Sequence, residues 1–285
     1  MWNNLKTTLL LAALTGVLLA FGQLWRGQQG MMFALVLAAV MNLGSYFFSD
    51  KIALATSGAQ PIAREDNPRI YQIVERLAGK ANIPTPKIYF IPTDSPNAFA
   101  TGRNPNHASV AVTRGILEIC DDEEIEGELA HELGHVRNRD ILISAVVATI
   151  AGAITMIARL AWWAEMFGFG GGGRSDNRRG GALSALAMMI VAPLAALLIQ
   201  LAISRSREYE ADATGARITG NPQGLARALD KIDKWSKRIP MQASPSMAHM
   251  FIIQPLTSGE LFSSLFSTHP PIRKRIERLI GRDFV

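Results

Sequence analysis

The sequence has a single cysteine, Cys120, among 285 residues. One cysteine cannot form an internal disulfide, and we expect it to be a small core residue without a role in chemistry. No internal repeat is visible, which excludes a repeat array. The stretch 168–173 is almost entirely glycine, but it lacks the Lys-Ser/Thr ending of a P-loop. We therefore interpret it as a flexible loop and not as a phosphate site.

Charged residues are scarce as well, at 19% of the chain against 48% hydrophobic residues. Four runs contain no Asp, Glu, Lys or Arg, and each is near the roughly 20 residues with which a helix crosses a bilayer. These runs are residues 7–25, 27–49, 141–158 and 180–204. The first run follows Lys6 as in a signal peptide, but it lacks a small-residue cleavage pattern and a second run follows at once. The sequence therefore predicts about four membrane spans.

The formal net charge is +5. The Lys and Arg residues do not form an isolated basic tract of the kind that binds nucleic acid. Of the 29 Lys and Arg residues, 23 lie in the two long segments 49–140 and 205–285. Because Lys and Arg accumulate on the cytoplasmic side of a membrane, both segments are predicted to be cytoplasmic. The three arginines between 165 and 180 are more than an external loop usually carries.

Local patterns predict the elements of the first long segment. Asn67 and Pro68 are typical of a helix start, and apolar residues follow at helical spacing through Ala81. The stretches "PKIYFIP", "NAFATG" and "ASVAVT" favour a small antiparallel sheet, in which "NAFATG" is the candidate edge strand. Asp121 with Glu124 predicts a capping box for the next helix.

That helix contains the motif "HELGH". Residues four apart lie on the same face of a helix, so His131 and His135 can offer two imidazole nitrogens to one ion. Glu132 lies beside them, within reach of a water held by the metal. Two histidines and one carboxylate leave one position of a tetrahedral Zn²⁺ open, as in catalytic zinc sites. The motif occurs by chance often enough that two surface histidines remain the alternative.

The stretch "REYEAD" predicts a second helix that carries carboxylates, with Glu208 and Asp212 on one face. We assign Glu208 as the third ligand and Asp212 as the acceptor that orients a ligand histidine. Spacing alone cannot choose Glu208 over Glu210 or Asp212, and a solvated face with salt bridges is the alternative.

The motifs "HELGH", "SRSREYEAD", "NAFATG" and "THPP", in this order, resemble the HtpX membrane zinc peptidases, relatives of the CAAX prenyl endopeptidase. The resemblance implies one Zn²⁺ per chain, held by His131, His135 and Glu208, with Glu132 as catalytic base and Asp212 behind a ligand. It also implies a multi-pass enzyme of the bacterial inner membrane that acts on damaged or misassembled membrane proteins.

The resulting fold prediction is a mainly α integral membrane protein with a cytoplasmic α+β, zincin-like peptidase domain that carries a small sheet. The boundaries are a transmembrane hairpin at 1–50, the first part of the peptidase domain at 51–140, a second hairpin with the glycine loop at 141–204, and the second part at 205–285. An even number of crossings between His135 and Glu208 would return the chain to the same side.

Three further expectations concern the reaction. Glu132 takes a proton from the attacking water and returns it to the leaving amine. His269 of "THPP" is the candidate donor to the oxyanion. An extended substrate adds to the edge strand, with Asn97, Ala98, Phe99 and Ala100 as the binding residues. Glu128 is expected to face solvent.

The charged stretch "RNRD" after His135 places the metal at or above the membrane interface, where water and the bilayer are both at hand. Two other functions remain open. One is an intramembrane site-2-type protease, which the charges around the motif disfavour, and the other is a membrane adaptor that binds zinc without proteolysis. The predicted partners are polypeptides, chiefly membrane proteins, and the lipid bilayer. The sequence carries no signal of the oligomeric state.

Overall fold

The computed structural model of the chain describes residues 2–142, 205–236, 238 and 270–281. The third and fourth predicted spans and the glycine loop, in 141–204, lie outside these residues except for 141 and 142. His269 also lies outside them.

The N-terminal segment is a helical hairpin, α1 (Trp2–Thr56). The chain reverses at Gly27, whose φ of +58° lies in the left-handed region that glycine adopts at little cost. The Asn42 side-chain amide donates to Thr15 Oγ1 at 3.0 Å, across 27 residues of sequence. A straight helix would keep these two residues about 40 Å apart, so the two halves must lie side by side.

Among the described residues, one stretch, Gly27–Phe48, is long and apolar enough to cross a membrane. Large apolar side chains on this stretch are exposed, including Met32, Phe33, Val36, Val40 and Leu43. A helix that leaves such a surface uncovered is suited to contact with lipid. The number of spans, predicted as about four, stays a prediction.

A four-stranded sheet follows, in the order β1, β2, β4, β3. Its strands are β1 (Gln60–Pro61), β2 (Lys87–Ile91), β3 (Ala98–Gly102) and β4 (Ala108–Thr113). The expectation of an antiparallel sheet is confirmed for β3 and β4 but is wrong for β2, which runs parallel to β4. The physical reason is that β4 is buried along its whole length and takes the position between β2 and β3. The strand β3 lies at the edge, as predicted.

The helices of the described residues are α2 (Pro68–Ala81), α3 (Arg114–Ile119), α4 (Asp122–Asn138), α5 (Arg205–Thr219), α6 (Pro222–Ser236) and α7 (Ile272–Ile280). The predicted start of α2 is confirmed, since Asn67 caps it with Pro68 in first position. The Asp121 and Glu124 capping box of α4 is also confirmed. Apolar faces of α2, α4 and α6 meet the sheet in one core, to which Ile70, Leu77, Val110, Leu129, Leu133 and Leu229 belong.

The helices α4 and α5 cross with little side-chain volume between them. A Cβ placed on Gly215 would lie 2.9 Å from the His131 backbone nitrogen, and one placed on Gly134 would lie 3.2 Å from the Ala211 carbonyl oxygen. Glycine at both positions lets the two backbones come close together. The crossing sets the histidines of α4 against the carboxylates of α5.

Candidate metal centre

The two histidines of α4 point their Nε2 atoms toward each other. These atoms are 3.1 Å apart, and His131 is 2% exposed. The rings are nearly perpendicular, with centroids 4.7 Å apart. One helical turn separates the two residues, so a regular helix brings both Nε2 atoms within reach of a single ion.

Glu208 approaches the same point from α5. One of its carboxylate oxygens lies 3.8 Å from His131 Nε2, and the other lies 3.6 Å from His135 Nε2. These three side chains could hold a metal ion, since one donor atom of each lies within 4.8 Å of the others. Glu210, which spacing left open as a ligand, is exposed.

The donor set fits a zinc ion. Bonds of about 2.0 to 2.1 Å in a tetrahedron put neighbouring donor atoms roughly 3.3 Å apart. The separations in the structure, from 3.1 to 3.8 Å, lie around that value. Three protein donors also leave a fourth position for water or substrate, which distinguishes a catalytic zinc site from a structural one.

Asp212 lies behind His131. Its Oδ1 is 2.9 Å from His131 Nδ1, so the imidazole donates there and keeps the Nε2 lone pair for a metal. Asp212 also receives two contacts from Arg275, which is 1% exposed. Burial alone would raise the pKa of the Asp212 carboxyl, but the Arg275 charge and the hydrogen bond from His131 hold the pKa well below its usual range. Asp212 is therefore an anion.

Asp140 has the corresponding place behind His135. Its Oδ2 lies 3.1 Å from His135 Nδ1, and Asp140 itself is buried. In the metal-free protein, burial acts to lower the pKa of the His135 imidazole, but Asp140, Glu208 and Glu132 outweigh burial and raise the pKa to about 10. A metal ion must displace that proton, because a ligand imidazole is neutral.

Glu132 is buried between α4 and the sheet, where its Oε2 accepts a hydrogen bond from the Ala100 backbone N–H at 2.7 Å. The strand β3 makes this contact along the edge that does not pair with β4. The Thr113 N–H donates to the Asn97 carbonyl, so Asn97 and Thr113 form a hydrogen-bonded pair. Such pairs alternate along antiparallel strands, so the N–H and C=O groups of Ala98 and Ala100 face the open edge.

The two other residues predicted to bind substrate are placed differently. By the same alternation, the backbone groups of Phe99 face Ala111 of β4. The Phe99 side chain packs in a small cluster with Leu54 of α1 and Ile91. Asn97 is 2% exposed, and its backbone N–H bonds to Thr113 Oγ1. The strand therefore connects the edge beside Glu132 to the end of the N-terminal hairpin.

The expectation that Glu128 faces solvent is wrong. Glu128 is fully buried, and neither of its carboxylate oxygens has a hydrogen-bond partner among the described residues. It lies one helical turn before Glu132, close enough to His131, Asp212 and Arg275 for their charges to act on it. Burial raises the pKa of Glu128 to about 7, and of the smaller effects the His131 charge lowers this pKa while the Glu132 charge raises it.

The sequence reasoning missed two residues of this site, Asp140 and Arg275. Asp140 belongs to "RNRD", whose charge had suggested only a position outside the lipid. Its spacing of five from His135 has no regular helical meaning, because the chain leaves the helix at Arg139 with a φ of +58°. Arg275 belongs to the basic stretch "RKRIER", where nothing in the spacing separates the buried arginine from the exposed ones.

Two helical histidines with a glutamate beside them, a carboxylate from a second helix and a neighbouring edge strand define a site of the metallopeptidase class. Residues 64–283 match the profile of Peptidase family M48. This match covers more than half of the chain, so the chain belongs to peptidase family M48.

Curated relatives extend the match to nearly the full length. A "Protease HtpX homolog" of Desulforapulum autotrophicum is 55% identical over 281 residues, 98% of this chain and 90% of the relative. The homologue of Syntrophobacter fumaroxidans is 54% identical over 98% of this chain and 99% of its own length. The homologue of Aquifex aeolicus is 52% identical over 93% and 88%. The resemblance to the HtpX peptidases is thereby confirmed.

A solved structure has a similar fold. The crystal structure of S. mikatae Ste24p superposes with a TM-score of 0.54 at 21% identity. The match covers 96% of this chain and 65% of that chain. At this identity the likeness concerns the fold alone.

The buried Glu128 makes stability depend on pH. Its pKa is about 7 in the folded, metal-free protein against 4.5 when unfolded, so the folded state holds the proton more tightly. Stability therefore falls as pH rises from about 4.5 to 7, by up to about 3 kcal/mol, since one pKa unit corresponds to about 1.4 kcal/mol. Glu128→Gln cannot ionise, so we expect it to unfold at higher temperature than the wild type at pH 8.

Thermal unfolding in detergent with a chelator would measure this difference at pH 8 and at pH 5. At pH 5 the two proteins are expected to unfold at nearly the same temperature. Glu118→Gln is a matched control, because Glu118 is exposed. An equal gain at both pH values, or none at pH 8, would contradict the buried acid.

Proposed function

We propose that this chain is a membrane-bound zinc metalloendopeptidase that hydrolyses peptide bonds of misfolded or damaged membrane proteins. The observation that carries the proposal is the convergence of His131, His135 and Glu208 on one point, with Glu132 beside it. His131 and His135 would hold the ion through Nε2, and Glu208 would hold it through a carboxylate oxygen. A bound Zn²⁺ would supply the acidity of a coordinated water near neutral pH and polarise the scissile carbonyl.

Glu132 is proposed as the general base. The hydrogen bond from Ala100 fixes Oε2 and leaves Oε1 to accept a proton from the attacking water. The same carboxyl then gives the proton to the leaving amine, so no covalent intermediate is needed. The Ala98 N–H and C=O and the Ala100 C=O, at the open edge of β3, would align an extended substrate as an added strand. Asn97 and Phe99 would hold β3 itself in place, through Thr113 and through the cluster with Leu54 and Ile91.

His269 is proposed as a donor to the developing oxyanion. It precedes α7 by only three residues in sequence. Asp212 and Asp140 fix the two ligand imidazoles in the tautomer that presents Nε2.

We propose a multi-pass position in the bacterial inner membrane with the site on the cytoplasmic side, and the end of α1 supports the closeness of the site to a membrane interface. The apolar stretch ends at Phe48, and there Lys51 lies over the Phe48 ring while Arg103 lies over the Phe47 ring. Aromatic and cationic side chains of this kind favour the membrane interface. Arg103 directly follows β3, so the substrate strand would lie close to the bilayer surface and to the cytoplasmic parts of membrane proteins.

Charge around the motif supports cleavage outside the lipid over the intramembrane alternative. On the solvent side of α4, Glu123 pairs with Arg227, and Glu126 pairs with Arg76. Charged side chains of this kind are costly within hydrocarbon. We therefore propose that substrates reach the site as loops or unfolded ends in water.

The reaction can be separated from metal binding by Glu132→Gln. This variant keeps all three ligands, so it should bind one zinc per chain while its cleavage of casein falls by a factor of about 10² to 10⁴, as for loss of a general base. Glu208→Gln should lose both zinc and activity. Glu123→Gln, on the exposed face of the same helix, is the control and should keep both.

Zinc content by elemental analysis and peptide release measure the two effects. Unchanged proteolysis in Glu132→Gln would remove the peptidase mechanism. Zinc binding without proteolysis in the wild type as well would favour the adaptor.

The orientation can be tested by cysteine labelling in a Cys120→Ala background. The native thiol is buried, and burial raises its pKa to about 12, so little reactivity is lost. In sequence, Glu118→Cys precedes the segment 141–204 and Gln223→Cys follows it. Both cysteines should react with an impermeant maleimide only after the spheroplasts are permeabilised. Gln28→Cys, at the hairpin turn, should react in intact spheroplasts. Labelling of the first two on opposite sides would contradict an even number of crossings.

A further inference from the structure

Arg275 is the largest fully buried side chain of the described residues, although the other basic residues of α7, Arg273, Lys274 and Arg278, are exposed. Its Nε lies 3.0 Å from Asp212 Oδ2, and its Nη2 lies 2.7 Å from Asp212 Oδ1. This two-point contact fixes the plane of the carboxylate as well as its position. A residue from the C-terminal helix thus holds the group that orients a ligand of the candidate metal centre.

The guanidinium also touches His131 directly. Nη2 lies 3.3 Å from Nδ1 and 3.4 Å from Nε2 of this ring. Because Nη2 is almost equally far from both ring nitrogens, it does not lie along the in-plane lone pair of Nε2. The contact supports the imidazole without competing for the atom that would bind the ion.

Arg275, Asp212 and His131 therefore form one connected, buried unit. Asp212 Oδ1 accepts from both His131 Nδ1 and Arg275 Nη2. Without the arginine, the carboxylate would be a buried anion with one neutral donor, free to rotate or to take up a proton. Either change would weaken the constraint on the His131 tautomer.

We propose that Arg275 is a positioning residue that makes zinc binding depend on docking of the C-terminal helix α7. The proposal rests on the zinc site of the proposed function. The helix reaches this place because Ile276, the next residue, packs in the core. Docking of α7 and metal binding are then linked, and each must favour the other by the same factor.

The substitution test compares three full-length variants in detergent by zinc titration against a competing chelator. Arg275→Gln removes the charge and the two-point contact, and zinc should bind on the order of 10- to 100-fold more weakly, as for loss of other groups behind metal ligands. Arg275→Lys keeps the charge with a single contact and should give an intermediate loss. Arg273→Gln is the matched control on the exposed side of the same helix and should bind as the wild type does.

A second measurement requires no substitution. Amide hydrogen exchange across residues 272–280 of the wild type should slow at least about tenfold when saturating zinc is added, because zinc favours the docked helix. Arg273→Gln should show the same slowing. Arg275→Gln, saturated with zinc at higher concentration, should show little of it, which a purely structural role of the arginine would not predict.

Wild-type zinc affinity in Arg275→Gln would overturn the inference and leave the zinc peptidase intact. So would unchanged exchange of α7 in the wild type on zinc binding, whether or not the variant folds. Failure of the wild type to bind zinc at all would instead overturn the proposed function and the inference with it.

Discussion

The close crossing of α4 and α5 is the constraint on which the candidate site depends. The histidines and Glu208 belong to segments more than 70 residues apart, and only direct backbone contact brings their donor atoms within reach of one ion. Gly134 and Gly215 make that contact possible, since a side chain at either position would meet the opposite backbone. The arrangement of the three candidate ligands follows from this packing.

The second feature of the site is its excess of buried negative charge. Glu128, Glu132, Asp140 and Asp212 are all buried, and among the described residues Asp212 is paired with the buried Arg275 whereas neither carboxylate oxygen of Glu128 has a hydrogen-bond partner. Buried carboxylates without compensating charge are costly, and Glu128 responds by holding its proton to about pH 7. A divalent cation between His131, His135 and Glu208 would offset much of this cost. The charge distribution and the donor geometry therefore favour the same conclusion.

Local features were predictable from sequence because they depend on near neighbours. The cap at Asn67, the capping box at Asp121 and the histidine pair all follow from spacing within one or two helical turns. The position of β3 at the edge was also expected, although its contact with Glu132 was not. The four motifs along the chain then carried the resemblance to known peptidases, and the family match agrees with it.

Long-range features were not predictable in this way. Glu128 was expected in solvent, but it is buried near groups that lie far later in the chain, among them Asp212 and Arg275. Arg275 could not be told from its basic neighbours until α7 was placed on α5. The parallel pairing of β2 and β4 depends on which strand becomes the central one, and three short apolar strands do not specify that order.

The central claim is that one zinc ion is held jointly by α4 and α5. The most direct measurement is zinc anomalous scattering from crystals of the metal-loaded wild type. The account predicts one peak per chain, about 2.0 to 2.2 Å from Nε2 of His131 and His135 and from a carboxylate oxygen of Glu208. A peak bound by other residues, or one with Glu208 turned away from it, would contradict the account.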